Sequence, residues 1–152
     1  MRADKILVSG LIATSFMTLF SYLVSAYKRE NFKEPELLGG LEKDALPAVA
    51  KELSLPAGWA THFSIGIVWA ALYEYLWQNL NVKPTVKTAL VLGGFSGLTG
   101  ILIWWLAFRI HPRAPRTQYR KFFGHLLLAH FVYSISATMC GRYNNKDVKL
   151  LS

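Results

Sequence analysis

The sequence predicts an all-α protein, an integral membrane four-helix bundle that forms a single membrane domain over residues 1–152. The chain is 53% hydrophobic and 14% aromatic, whereas a soluble domain is about 45–50% apolar with glycine counted. Its apolar residues fall in four runs, each of about the length that crosses a bilayer. The Lys and Arg residues behind the net charge of +8 lie mainly at the ends of these runs. That placement indicates lipid headgroups as partners and argues against nucleic acid.

Each apolar run has the flanks of a membrane helix. The predicted spans are 6–27, 58–80, 88–110 and 122–141. The first lies between Lys5 and Lys28 and resembles a signal peptide, but we expect it to be a retained helix. Pro84 marks the turn before the third span, and the basic hairpin 111–121 leads into the fourth.

Residues 28–57 are predicted to be an interfacial loop, the one substantial connection in the chain. Gly39, Gly40 and Pro47 interrupt it. Asp44, followed by LPAVAKEL, indicates a short capped helix with one apolar side lying at the membrane interface. The alternative is an ordinary solvated connector.

Small and polar residues recur at helical spacing in every span. At 100° per residue each set falls on one helix face. Helices in lipid associate through close packing and hydrogen bonds, so we expect these faces to point inward, with Leu, Ile, Val and Phe outward. The sets are Thr14, Thr18, Ser21 and Ser25; His62, Gly66, Trp69 and Tyr73; Gly93, Gly97, Gly100 and Trp104; and His130, Ser134, Ala137 and Gly141.

The histidines are predicted to collect below one membrane face. The second and fourth spans run in the same direction, which puts His62 and His130 ~6 and ~12 Å below that face at ~1.5 Å per residue. His125 is shallower, and Trp104 reaches a comparable depth. The hairpin arginines, among them Arg113, Arg116 and Arg120, are expected to form a cationic rim above.

Three interpretations of this cluster stay open, and the first is favoured. Neutral histidines could hydrogen-bond serines and backbone across the helices, with no cofactor. The pocket could instead receive an anionic or quinone-like headgroup anchored by the arginines. A haem could be held with His62 and His130 as axial ligands. The candidate cofactor-binding residues are therefore His62, His125, His130, Trp104, Arg113, Arg116 and Arg120. His125 and His130 are roughly 140° apart on their helix, so they cannot together bind one metal, and no metal site is expected.

Glu74 is a separate candidate for proton or ion chemistry. It lies in the opposite half of the second span, and a carboxylate within a membrane is costly unless it serves a purpose. It could also snorkel, or pair with Lys5 or Lys83. Cys140 is expected to be a packing residue. No nucleophile, base and orienting group stand at a recognisable spacing, so no catalytic residues are predicted and the chain is expected not to be an enzyme.

Four short motifs give the chain a family resemblance: GLIATSFMT, THFSIGIVWAALYEYL, GGFSGLTG and LLAHFVYSISAT, one in each span. With them the chain resembles a loose group of small bacterial inner-membrane proteins with four helices. The resemblance implies a bacterial cytoplasmic membrane and four crossings, and it implies no activity.

The orientation of the chain in the membrane is predicted from its charges. Counting Lys and Arg gives ten on the side of the long loop and hairpin and seven on the side of the termini. This bias predicts that the loop and hairpin are cytoplasmic.

The sequence favours a non-enzymatic accessory subunit of a larger membrane assembly, with membrane lipids and other membrane subunits as partners. One alternative is a carrier or redox protein that binds a quinone, lipid headgroup or haem near His62 and His130. Another is a small proton-coupled transporter that uses Glu74.

Overall fold

The structure is a computed structural model that describes residues 3–45, 51–111, 113–115 and 117–150, without the side chains of 44, 45, 51 and 142–150. The described residues are all-helical. The helices are α1 (Ala3–Lys28), α2 (Glu34–Ala45), α3 (Ser54–Asn79), α4 (Val86–Ile110) and α5 (Tyr119–Leu150), with a 3₁₀ turn (Lys51–Leu53) before α3. Helices α1, α3, α4 and the Tyr119–Gly141 part of α5 are each long and apolar enough to cross a membrane. The predicted all-α class with four apolar helices is confirmed.

The helices are longer than the predicted spans, most of all at the end of α5. The predicted fourth span ends at Gly141, but α5 continues to Leu150. Residues 142–150 contain neither Gly nor Pro, so nothing in them breaks a helix that has already begun. Polarity ends a membrane span without ending the helix.

Helices α1 and α5 pack against each other in the middle of the bundle, with α3 along α1 and α4 along α5. Helices α3 and α4 meet through long side chains: the Tyr73 hydroxyl donates to Ser96 Oγ over 3.2 Å. The edge of Trp69 also meets Phe95, with ring centroids 6.2 Å apart. This looser contact leaves space between α3 and α4.

The predicted stripes of small and polar residues face inward. All four members of the α1 stripe are buried, as are those of α5, and only Trp69 and Gly100 in the other two are half-buried. Many leucine, valine and isoleucine side chains, such as Val68 and Val91, point outward as predicted, but Phe108, Phe122 and Leu126 are buried in the core. Gly66 shows why small residues are needed, since a Cβ there would lie 1.9 Å from Thr14 Oγ1.

Helix α2 (Glu34–Ala45) lies within the predicted interfacial loop 28–57. Residues 46–50 of the short helix expected after Asp44 lie outside the described residues, and the described helix α2 contains Asp44 and ends at Ala45. Helix α2 packs along the start of α3, and Phe32, Leu37 and Leu41 join the hydrophobic core. Tertiary packing thus stabilises a helix that runs through Gly39 and Gly40, where the sequence predicted a loop.

Candidate functional site

A cavity of about 120 Å³ lies inside the bundle, and all five helices line it. Helix α2 covers it with Glu34, Leu38 and Leu41. Two of its lining residues, Ile65 of α3 and Ile103 of α4, are also 46% and 61% exposed at the outer surface. The cavity therefore opens sideways between α3 and α4, through the part of the surface that the apolar residues occupy.

His130 of α5 lines the cavity and is held in one orientation. Its Nδ1 lies 2.8 Å from the carbonyl oxygen of Leu126. Because a carbonyl only accepts, Nδ1 carries the proton, and Nε2 of the neutral ring is then an acceptor. Nε2 faces Gly100, where a Cβ would stand 3.1 Å away. The glycine leaves room beside a hydrogen-bond acceptor.

His62 of α3 lines the same cavity but directs its Nε2 at α1. Thr18 Oγ1 donates to the Thr14 carbonyl over 2.7 Å and lies 2.9 Å from His62 Nε2. Since the threonine proton is already used, His62 Nε2–H is the donor in this contact. The bond links α3 to α1 across the bundle interior. The structure thus brings His62, His130 and Trp104 to one site.

Glu34, in the first turn of α2, is the residue that the sequence did not single out. It is 1% exposed and lines the cavity. Ser21 Oγ donates to its Oε1 over 3.0 Å, whereas its Oε2 is buried without a hydrogen-bond partner. Burial raises the pKa of Glu34 to about 7, although a backbone N–H at the start of α2 and the Ser21 hydroxyl act to lower it.

His125 lies beside the cavity and reaches it only through Ser21. Its Nε2 lies 2.9 Å from Ser21 Oγ. Its ring is stacked between Phe20, at a centroid distance of 5.3 Å, and Phe32, at 4.6 Å. Two aromatic faces therefore fix the ring plane, and the serine fixes the direction of Nε2.

Arg113 and Arg120 of the hairpin are not brought to this site. Arg113 and Arg120 are exposed and neither lines the cavity, while Arg116 lies outside the described residues. Lys121 forms an ion pair with Glu30, with Nζ and Oε1 2.7 Å apart. In the described part of the chain, the cavity wall carries one carboxyl and two imidazoles and no Lys or Arg.

Glu74 is buried in the other half of α3, at 7% exposure. The side-chain amide of Gln78 donates to its Oε1. Glu74 lies twelve residues after His62, ~18 Å along the helix, and does not line the cavity. The carboxyl is therefore packed inside the bundle, and its part in proton or ion chemistry stays a prediction.

The site does not fit a haem held between His62 and His130. A bis-histidine haem takes a ring nitrogen lone pair from each side, and binding through His62 Nε2 would break its hydrogen bond with Thr18. A cavity of about 120 Å³ is on the scale of one benzene ring, far smaller than a porphyrin. Among the described residues, no group of three or more His, Cys, Asp and Glu side chains could hold a metal ion.

A signal for Glu34 was present in the sequence. Acids in the first turn and a proline directly after one of them, as in Glu34-Pro35-Glu36, are typical of a helix start. Asn31 accepts a hydrogen bond from the backbone N–H of Lys33 just before that start. What no local pattern indicates is that Glu34, and not Glu36, faces the interior.

No protein family model, no curated protein and no solved structure matches this chain.

Proposed function

We propose that this chain is a multi-pass protein of the bacterial inner membrane. It binds a lipid-soluble ring compound that carries a hydroxyl group, such as a quinol. It would act as a binding or carrier protein for that compound. The observation that carries this proposal is the pairing of a sideways-opening apolar cavity with buried acceptors, Glu34 Oε2 and His130 Nε2.

The size and wall of the cavity support a single ring as the bound group. About 120 Å³ is close to the volume of an engineered apolar cavity of ~150 Å³ that binds benzene. Trp69, Trp104 and Tyr133 supply aromatic surface, against which a ring packs favourably. An aliphatic tail would leave through the opening between Ile65 and Ile103.

The polar groups favour a ligand that donates hydrogen bonds. Glu34 Oε2 lacks a partner, and leaving a buried acceptor unpaired costs about 1–3 kcal/mol. A hydroxyl group would remove that cost. An anionic headgroup would instead meet a carboxyl with no cation in the described wall, and two of the arginines expected to anchor it, Arg113 and Arg120, are exposed.

The test compares three probes of similar shape on the purified full chain in lipid nanodiscs, by equilibrium dialysis. We expect 4-hexylphenol to bind, 4-hexylanisole to bind at least about tenfold more weakly for want of a donor, and 4-hexylbenzoate to be excluded. Glu34→Gln and His130→Ala should each weaken 4-hexylphenol, whereas Glu74→Gln, outside the cavity, should not. Equal affinity for the phenol and the anisole would overturn the proposal.

A role as an accessory subunit, predicted from the sequence, is compatible with such a site, because a subunit of a larger assembly can carry a ligand pocket. Purification in mild detergent tests it directly. We expect a stoichiometric membrane partner if the role is correct, and a chain that purifies alone would contradict it.

A further inference from the structure

We propose that Glu34, Ser21 and His125 form a proton-transfer path that connects the cavity with the polar surface beside the α5 entrance. The path extends the proposed function. It rests on that proposal, because the ligand in the cavity is the group that gives or takes the proton. It adds an activity to ligand binding: exchange of a proton between a buried ligand and the outside of the bundle.

The three side chains form one unbroken chain of hydrogen bonds across three helices. His125 Nε2 of α5 lies 2.9 Å from Ser21 Oγ of α1, and Ser21 Oγ lies 3.0 Å from Glu34 Oε1 of α2. Both distances are within the range of direct hydrogen bonds. The serine hydroxyl is at once donor and acceptor, which a relay residue must be.

The same heavy atoms serve two proton arrangements. In one, His125 Nε2–H donates to Ser21 and the Ser21 hydroxyl donates to the Glu34 carboxylate. In the other, a protonated Glu34 donates to Ser21, which donates to His125 Nε2. Starting from an imidazolium, the N–H bond at His125 Nε2 breaks as the proton moves to Ser21 Oγ, and the Ser21 proton forms an O–H bond at Glu34 Oε1. The products are a neutral histidine and a carboxylic acid, and no electron is transferred.

The cavity end of the path has an open position. Glu34 Oε2 is buried, without a partner, and belongs to a side chain that lines the cavity. A proton received at Oε1 can pass to the ligand after rotation of the carboxyl group, and a ligand proton can return the same way. Burial raises the pKa of Glu34 to about 7, so this carboxyl exchanges its proton near neutral pH.

His125, the outer end of the path, is 5% exposed and lies one helical turn from polar groups at the surface. Lys121, 56% exposed in its side chain, precedes His125 by one turn of α5 and pairs with Glu30, ~6 Å along the helix axis. A polar groove opens beside this pair, lined by Glu30, Asn31, Thr117, Gln118 and Tyr119. Gly124, next to His125, is exposed and would have nothing within 4 Å of a Cβ.

Other titratable groups lie on the helices packed around Glu34. They are Tyr22 of α1, His62 of α3, and His125, His130 and Tyr133 of α5, while α4 brings none to the described wall. Of these, only His125 is joined to Glu34 by the serine. The relay is therefore distinguishable from the wider group by changing Ser21.

The experiment follows the acid C=O stretch of Glu34 by infrared spectroscopy after a rapid fall in pH, with the full chain in detergent and no ligand. Glu34→Gln identifies the band by removing it. We expect Ser21→Ala to reach the same final band intensity about tenfold or more slowly, since a positioned proton carrier is lost. His125→Phe, which keeps the stack with Phe20 and Phe32, should slow it likewise and serves if Ser21→Ala does not fold.

Ser96→Ala is the matched control, because Ser96 is equally buried but lies on α4 and hydrogen-bonds Tyr73. Its band should rise at the wild-type rate. Unchanged rates in both Ser21→Ala and His125→Phe would overturn the path. Because no ligand is present, that failure is separate from a failure of 4-hexylphenol to bind, which would overturn the proposed function alone.

Discussion

Gly39 of α2 and Gly58 of α3 lie backbone against backbone: a Cβ on Gly58 would stand 2.4 Å from the backbone nitrogen of Gly39. The same Cβ would stand 2.1 Å from the Pro35 carbonyl oxygen. No side-chain movement can relieve a clash with backbone, so this crossing exists only because both residues are glycine. It holds α2 against the bundle, and with it the Glu34 carboxyl over the cavity.

The neighbouring glycines of α2 should therefore respond in opposite ways to alanine. A Cβ on Gly39 would lie 2.3 Å from the Ser54 carbonyl oxygen, whereas Gly40 has nothing within 4 Å. We expect Gly39→Ala to lower the free energy of unfolding by about 1–3 kcal/mol through overpacking. Gly40→Ala should raise it by about 0.5–1 kcal/mol, because alanine loses less backbone freedom in a helix.

Thermal unfolding of the two variants in the same detergent, followed by tryptophan fluorescence, checks this pair. Gly124→Ala, another exposed helical glycine with open space around it, should behave like Gly40→Ala. A stable Gly39→Ala would contradict the packing of α2 on α3.

The buried Glu34 carboxyl predicts a specific pH dependence of stability. Its pKa is raised by burial from about 4.5 to about 7, so between these values the folded chain holds a proton that the unfolded chain has lost. Stability is then fully present below pH 4.5 and falls as the pH rises to about 7, by on the order of 3 kcal/mol. We expect Glu34→Gln to remove this slope, because the amide stays neutral throughout.

Unfolding of wild type and Glu34→Gln at a series of pH values between about 4 and 8 measures the effect, with Glu36→Gln as the control on the half-buried face of the same helix. Parallel curves for wild type and Glu34→Gln would show that another group controls the pH dependence.

The sequence predicted the bundle well because one rule covers a whole membrane helix. Small and polar residues at 100° spacing define the inner face of α1 from Thr14 to Ser25, and all of them are buried. The same arithmetic placed His62 and His130 ~6 and ~12 Å below one membrane face, and both line the cavity. It requires only that the helix be continuous, and each span is.

The same rule could not place the residues of the connections. Arg113 and Arg120 flank the helix ends, where loop geometry sets the direction of a side chain and no periodicity applies, and both are exposed. Glu34 falls within the predicted loop 28–57, although it hydrogen-bonds Ser21, thirteen residues earlier, inside the bundle. Which acid of Glu30, Glu34 and Glu36 is buried depends on the path of the chain between α1 and α2.

Ligand affinity should respond to the space beside His130. A Cβ on Gly100 would stand 2.9 Å from His130 Cε1, whereas on Gly94, on the same helix, its nearest neighbour is 3.9 Å away. Because the Leu126 carbonyl holds the ring, we expect Gly100→Ala to fill the cavity beside Nε2. Dialysis should show about tenfold weaker binding of 4-hexylphenol, about 1.4 kcal/mol. Gly94→Ala should bind as wild type does, and equal losses in the two variants would point to a general disturbance of α4.

The variant Glu74→Gln distinguishes the proposed proton path at Glu34 from the alternative of a proton-coupled transporter that uses Glu74. Glu74 is buried beside Gln78 and lies ~18 Å along α3 from His62, so replacing it should have little effect on a ligand in the cavity. We expect Glu74→Gln to keep its affinity for 4-hexylphenol and the rise of the Glu34 infrared band, both within about twofold. If Glu74→Gln instead abolished proton exchange while Ser21→Ala preserved it, the proton route would run through the other half of the bundle and the relay at Glu34 would be wrong.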